Sequence, residues 1–220
     1  MLASLYNESD TLYPMKKRID ALEKVGTIQY YPPQTLIYME QEFATELYIL
    51  LEGEVRCYRY DVKGNMVTLP FHTRYDLLGE LPSGGELVTY QESCESETTC
   101  SMLRLSSLRL CQLASSDLEI ANFLIEKLSQ RSRMLSQFSC ITTASSLSEK
   151  IALFIYEHGE HFCSMPISRT ASMLNVPPES LSRVLKKFRQ QGILSNERGT
   201  YHILEREALR EYFDFAYYGG

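Results

Sequence analysis

The chain of 220 residues contains no apolar run of the roughly 18 residues that a membrane-spanning helix needs. Its opening, MLASLYNESDTLYPMKKR, shows no basic start followed by an apolar core, so no secretory leader is read there. The 6 cysteines form no CxxC pair; the nearest two, Cys94 and Cys100, lie in separate positions with five residues between them. That spacing predicts no metal site, and reduced thiols of a cytoplasmic protein are the default. A surplus of positive charge is also missing. Lys and Arg total 22 against 28 Asp and Glu, a net of −6, which taken whole speaks against nucleic acid. No nucleophile, base and orienting acid come together, and no phosphate-loop motif occurs, so an enzyme is not expected. What remains is the composition of a folded chain, 44% hydrophobic and 23% charged.

The pattern divides the chain into three: 1–115, 116–142 and 143–220. Residues 28–105 read as strands, with TLIYM (35–39), LYILLEGEVRCYRY (47–60) and MVTLPFH (66–72) rich in β-branched and aromatic residues. Turn signals separate them at Tyr31-Pro32-Pro33, around Gly64-Asn65 and at Pro82 to Gly85. Many short strands of this kind suggest a sandwich or jelly roll. A short helix over 14–25 precedes them, with Pro14 at its start and Gly26 past its end. Residues 116–142 read as one long helix. Ala121, Leu124, Leu128, Arg131, Leu135 and Phe138 recur at spacings of three and four, a seam suited to self-association. The last part opens on Ser146 and Glu149, a capping box, and Gly159 is expected to close that helix. A short helix (168–174), a break at Asn175-Val176-Pro177, a longer helix (178–191) and two strands around Arg198-Gly199 make a winged helix-turn-helix. The fold class is therefore α+β.

Charge sharpens this division. Residues 143–220 carry nine basic and nine acidic side chains, so the whole net of −6 falls on 1–142. The helix 178–191 holds Arg183, Lys186, Lys187 and Arg189 against Glu179 alone, a net of +3. Helical spacing puts Glu179, Ser182, Arg183 and Lys186 on one face and Leu181, Val184, Leu185 and Phe188 on the other. The apolar face packs inward and the polar face is left for a major groove, where Arg183 can grip guanine and Ser182 or Glu179 a neighbouring base. Lys186, Lys187 and Arg189 suit phosphates or solvent.

These features together resemble the CRP/FNR superfamily of bacterial transcription regulators, across nearly the whole chain. The resemblance rests on LYILLEGEVRCY (47–58), Asp76-Leu-Leu-Gly79-Glu80-Leu81, the long helix and PPESLSRVLKKFRQQGIL (177–194). It implies a cyclic-nucleotide-binding-like β jelly roll, a dimerisation helix, and a DNA-binding domain that activates or represses. It implies a homodimer on a palindromic operator, RNA polymerase as a partner of an activator, and no membrane. The stretch Glu179-Ser180-Leu181-Ser182-Arg183 looks like the FNR-type recognition helix, which implies TTGAT-like half-sites. DNA contacts are expected from Glu179, Ser180, Ser182, Arg183, Lys186, Lys187 and Arg198. A signal sensed in the jelly roll would turn the DNA-binding domains through the long helices and a hinge near Thr142 to Ser146.

The effector is harder to read. The resemblance places an effector pocket at Gly79, Glu80, Leu81, Tyr90, Gln91 and Leu135. Cyclic-AMP sensors of the family pair a Gly-Glu with a later Arg-Ser; here those later positions fall on about Tyr90-Gln91. From Glu80 through Thr99 there is no Lys or Arg, while Glu86, Glu92, Glu95 and Glu97 are acidic. A buried phosphate there lacks a cation, so cyclic AMP and cyclic GMP are not expected. The family's iron–sulfur cluster uses cysteines near the N-terminus, whereas the first cysteine here is Cys57. Haem needs an axial ligand such as His72, which otherwise reads as a strand-end histidine. His158 and His161 flank a helix end, where a cation is favourable without any metal. No cofactor is therefore expected. Two alternatives stand beside a ligand-gated regulator: one active without effector, and a thiol or haem sensor using Cys94 with Cys100, or Cys140 near its symmetry mate. An adaptor without DNA activity is a further rival.

Overall fold

The structure is a computed structural model, and it describes residues 17–213 apart from 65, 71, 83–85 and 87. Pro14 and most of the Pro82 to Gly85 turn lie outside the described residues. Two compact units emerge. The first comprises Met1–Arg59 and Phe71–Ser132, the second Tyr60–Pro70 and Arg133–Gly220.

In the first unit, helix α1 (17–23 in its described part) ends where the Gly26 amide donates to the Leu22 carbonyl at 2.9 Å. Gly26 is needed for closeness. A Cβ there would sit 2.6 Å from Leu103 Cδ1 and 2.9 Å from the Arg104 carbonyl. The strands are β1 (Thr27–Tyr31), β2 (Leu36–Tyr38), β3 (Glu46–Glu52), β4 (Val55–Tyr60), β5 (Met66–Thr68), β6 (Leu77–Leu78), β7 (Ser93–Ser96) and β8 (Cys100–Ser106). One antiparallel sheet runs β1-β8-β3-β6. In the second, β7 lies between β2 and β4, with Cys57 opposite Cys94 and Arg56 opposite Glu95. Strand β5 belongs to the segment that clusters with the second unit.

Strand periodicity sorts the two faces of β3 and β8. Leu47, Ile49, Leu51, Leu103 and Leu105 join Ile19 and Leu22 of α1, Leu110, and Ile120, Phe123 and Leu124 in one core. Tyr48, Leu50 and Met102 point the other way, into the space between the sheets, where the ring of Tyr48 stacks on Tyr38. In β4, Val55 and Cys57 are buried and Arg56 and Tyr58 half-buried, as the alternation predicts, while Arg59 at the strand end is exposed beside Glu40.

The helices α2 (Ser107–Ser116) and α3 (Leu118–Thr143) follow. The sequence reading passed over α2, because its leucines lie on more than one side: Leu110 is buried and Leu108 exposed. Asp117 ends α2 in an extended conformation, and its carboxylate accepts from the amides of Glu119 and Ile120 to start α3. The long helix thus begins two residues later than the sequence suggests.

In the second unit, α4 (Leu147–Ser164) opens with the expected capping box. Glu149 donates its amide to Ser146 Oγ at 3.1 Å, and its carboxylate accepts the Ser146 amide at 3.2 Å. Gly159 does not close this helix. The backbone kinks at His158 (φ −124°, ψ 34°) and continues to Ser164. Glycine serves contact here, since a Cβ at Gly159 would lie 2.5 Å from Ile203 Cδ1. Then come α5 (Ile167–Leu174), α6 (Pro178–Gln190), the hairpin β9 (Leu194–Glu197) and β10 (Thr200–Ile203), and a 3-10 turn at Glu207–Tyr212.

Burial, with a smaller push from His161, lowers the His158 imidazole to about 4. Unfolded histidine protonates near 6.5. Between those values the unfolded chain binds the extra proton, so stability falls as pH drops through this window and is flat above it. Urea unfolding is expected to show a loss of roughly 1–2 kcal/mol between pH 7 and pH 5 that His158→Gln removes. Equal slopes in the two proteins would refute this.

Candidate nucleic-acid interface and the interior of the first unit

The turn between α5 and α6 follows from three residues. Asn175 caps α5 in the left-handed conformation (φ 50°, ψ 52°), which asparagine tolerates. Pro177 is extended and offers no side-chain cap, as its chemistry requires. Pro178 occupies the first turn of α6, where no amide bond is lost. The Pro177 carbonyl then accepts from the amides of Ser180 and Leu181.

Helix α6 is divided as its spacing predicts. Leu181, Val184, Leu185 and Phe188 are buried, and the Phe188 ring meets Tyr212 edge-on at 4.8 Å. Glu179, Ser182, Arg183 and Lys186 are exposed together on the opposite face. Ser180 is half-buried beside them. Lys187 stands at the edge, its ammonium 4.8 Å from the Tyr212 ring centroid. Arg198 sits at the tip of the wing, where it and Gly199 take positive φ (52° and 94°). The Gly199 amide donates to Asn196 Oδ1 at 3.3 Å. A groove between α6 and the wing is lined by Ser182, Lys186, Arg189, Ser195, Asn196 and Tyr201. The last three were missed from sequence. They lie on two strands of four residues each, too short for alternation to assign faces.

In the first unit, the residues assigned to an effector pocket separate. Gly79 (φ 95°) packs against Tyr90, whose Cε1 lies 3.2 Å from where a Cβ would be. Tyr90 stacks on Tyr38 with centroids 4.2 Å apart and donates to the Glu46 carbonyl at 2.8 Å. Leu81 is half-buried, Gln91 is exposed and bonds the Thr89 carbonyl, and Leu135 belongs to the second unit. The central side chain is one the sequence put on the seam. Arg131 donates to the Gly79 carbonyl at 2.9 Å and pairs with Glu80 at 3.3 Å and Glu92 at 3.1 Å. Burial works against its charge, but Glu92 and Glu80 outweigh that and raise the guanidinium further. Burial lifts the Glu80 carboxyl, with Arg131 opposing.

The rest of the seam also divides. Leu124 and Phe138 are 6% and 8% exposed and Ala121 is intermediate, whereas Leu118, Ile125, Leu128 and Leu135 are 75%, 62%, 46% and 43% exposed. The outward apolar stripe of α3 therefore runs Leu118, Ile125, Leu128 and Leu135. Leu124 and Phe138 are buried and Arg131 turns to Gly79, Glu80 and Glu92, so these three face their own chain.

Among the described residues no helix is long and apolar enough to cross a membrane. The sequence pattern of the cyclic nucleotide-binding domain matches residues 28–117, and that of the Crp-like helix-turn-helix domain matches residues 149–212. Together they cover more than half of the chain. The transcriptional activator protein Anr of Pseudomonas aeruginosa is 23% identical over 170 residues, 72% of this chain and 69% of its own. FixK2 from Bradyrhizobium japonicum has a similar structure, with a TM-score of 0.72 and 22% identity over 85% of this chain and 96% of its own. A CooA variant from Carboxydothermus hydrogenoformans reaches a TM-score of 0.73 at 14% identity, over 88% and 89%. These likenesses establish the fold; with the two domain matches in this order, a jelly roll, a long helix and a winged helix-turn-helix, the chain belongs to the CRP/FNR superfamily of transcription regulators.

Proposed function

We propose that the protein is a cytoplasmic homodimer that reads a palindromic operator with TTGAT-like half-sites through α6. The observation that carries this reading is the exposed row Glu179, Ser182, Arg183 and Lys186 on a helix whose other face is buried. Arg183 is the candidate for a bidentate grip on guanine, and Lys186, Arg189 and the wing tip at Arg198 suit phosphates. Two copies joined along α3 would present two such helices to half-sites about one helical turn apart. If the protein activates, RNA polymerase is its further partner.

The signal entering the first unit is not a cyclic nucleotide in this reading. Glu80, the acidic residue of the Gly-Glu pair, is already paired with Arg131, and Tyr90 packs against Gly79. Arg131 is the cation beside the Gly-Glu pair, yet two carboxylates and a carbonyl engage it.

Selection of bound sequences from a random duplex pool tests the proposal. The expected consensus is an inverted repeat of TTGAT-like half-sites. Arg183→Ala should weaken binding by roughly 1–3 kcal/mol and relax preference at one position of each half-site. A non-palindromic consensus, or unchanged specificity in the variant, would refute it.

A further inference from the structure

The space between the two sheets holds a group of side chains that the DNA-binding reading does not use. Cys57 of β4 points into it, and Cys94 of β7 stands directly opposite. Glu92 lies two residues before Cys94 on the same side and is 5% exposed. His72 enters from the segment ahead of β6. One ligand atom from each of Cys57, His72 and Glu92, a sulfur, an imidazole nitrogen and a carboxylate oxygen, lies within 4.8 Å of the other two.

We propose that Cys57, His72 and Glu92 form a buried binding site for a zinc-class divalent transition metal. Sulfur, imidazole and carboxylate are the donors that such ions take, at about 2.0–2.3 Å each. Ligands around one tetrahedral ion stand roughly 3–4 Å apart, so small side-chain rotations close the observed triangle. Three protein donors leave a fourth position for water or a small ligand. The supporting shell is already in place. Arg131 (3.1 Å) and the Tyr38 hydroxyl (3.4 Å) both hold Glu92 Oε1, and the same hydroxyl is 3.9 Å from the Cys57 sulfur. Such outer contacts orient ligands. Binding exchanges the Cys57 thiol proton for the metal, the proton passing to solvent. No charge run or CxxC spacing announces the site, because its members come from three separate segments.

The site also touches the helix that carries the dimer stripe. Glu92 is shared between the triangle and Arg131 of α3, so a metal drawing on that carboxylate weakens one of the contacts Arg131 makes. Only this use as a signal input rests on the regulator reading; the site itself does not.

The test is titration of reduced, chelator-treated full-length protein with Co²⁺, followed by Zn²⁺ competition. The expected result is one cobalt per chain, with a thiolate-to-cobalt charge-transfer band that zinc abolishes. The triple variant Cys111→Ser, Cys140→Ser, Cys163→Ser should keep the band. Cys57→Ser should lose it, and His72→Gln should weaken zinc binding by more than the 10–100-fold typical of supporting residues. Circular dichroism confirms that each variant is folded. Absence of the band in the wild type, its survival in folded Cys57→Ser, or its loss in the triple variant would overturn the proposal. A chain that binds cobalt normally but no operator would overturn the regulator reading alone.

Discussion

Replacing Arg131 by methionine is expected to destabilise the first unit by about 3–5 kcal/mol at neutral pH, because it leaves a buried carboxylate without its cation. Glu92 is almost fully buried, and Arg131 is 3.1 Å from it. Glu80, which burial already lifts, loses the same partner. The stem of methionine preserves most of the packing, so the loss reports charge. The sign of the pH dependence follows. In the variant the folded Glu80 carboxyl, lifted by burial and no longer opposed by Arg131, holds its proton more tightly than an unfolded one, so the folded state binds more protons in the mildly acidic range. The deficit relative to wild type should therefore shrink as pH falls from 7 toward the ordinary carboxylate range. Adding Glu80→Gln and Glu92→Gln should restore much of the stability, as a network removed whole costs less than one broken. Urea unfolding of metal-free protein at several pH values measures all three. A deficit that is constant with pH would mean Arg131 acts through packing alone.

That network was invisible in the sequence for a physical reason. Gly79, Glu80, Glu92 and Arg131 lie on a loop, a strand entry and a helix, and nothing in local spacing joins them. Read along its helix, Arg131 is only an interruption in a leucine repeat. The same holds for the proposed ligands Cys57, His72 and Glu92, which come from three segments that no local spacing joins. By contrast α6 was legible because everything it does is local. Its apolar spacing matches 3.6 residues per turn, Asn175 and Pro178 mark the turn before it, and its charge differs from its surroundings. Position by position, the capping box at Ser146 was legible too, whereas Gly159 was misread as a stop. A glycine read from sequence does not say whether it ends a helix or makes room for Ile203.

The acidic net charge takes on a different meaning once it is divided. The first unit and its approaches carry the deficit, and many of its charges are engaged within it: Arg18 with Glu119 and Glu126, Arg56 with Glu95, Arg104 with Glu46, Lys127 with Asp76. In α6 four cations, Arg183, Lys186, Lys187 and Arg189, stand exposed against Glu179 alone. Attraction to phosphate is thereby concentrated on one helix and its neighbour, while the rest of the surface discourages other modes of contact with DNA.

Ile125→Glu combined with Leu128→Glu is expected to cut operator affinity by at least about a hundredfold without unfolding the chain, and this pair separates two ways of seeing α3. The sequence cannot choose between stripes one residue apart, since Leu124 and Ile125 lie four and three residues before Leu128 and both fit such a spacing. Burial chooses: Leu124 is 6% exposed in the core of the first unit, while Ile125 and Leu128 are 62% and 46% exposed. Leu124→Glu should therefore cost several kcal/mol of folding stability, as burying an unpaired charge does. The double variant on the outward stripe should change stability of the isolated chain little. In the proposed dimer it places four carboxylates in one apolar seam, which favours separate protomers. A single protomer holds one half-site and forfeits the second, so affinity for the palindrome should fall by at least about a hundredfold, beyond the roughly 1–3 kcal/mol expected of any one base contact. Sedimentation at micromolar concentration reads the assembly, and fluorescence anisotropy on the selected operator reads the affinity. A double variant that still sediments as a dimer, or a Leu124→Glu chain that dissociates while remaining as stable as wild type, would return the seam to the inward residues.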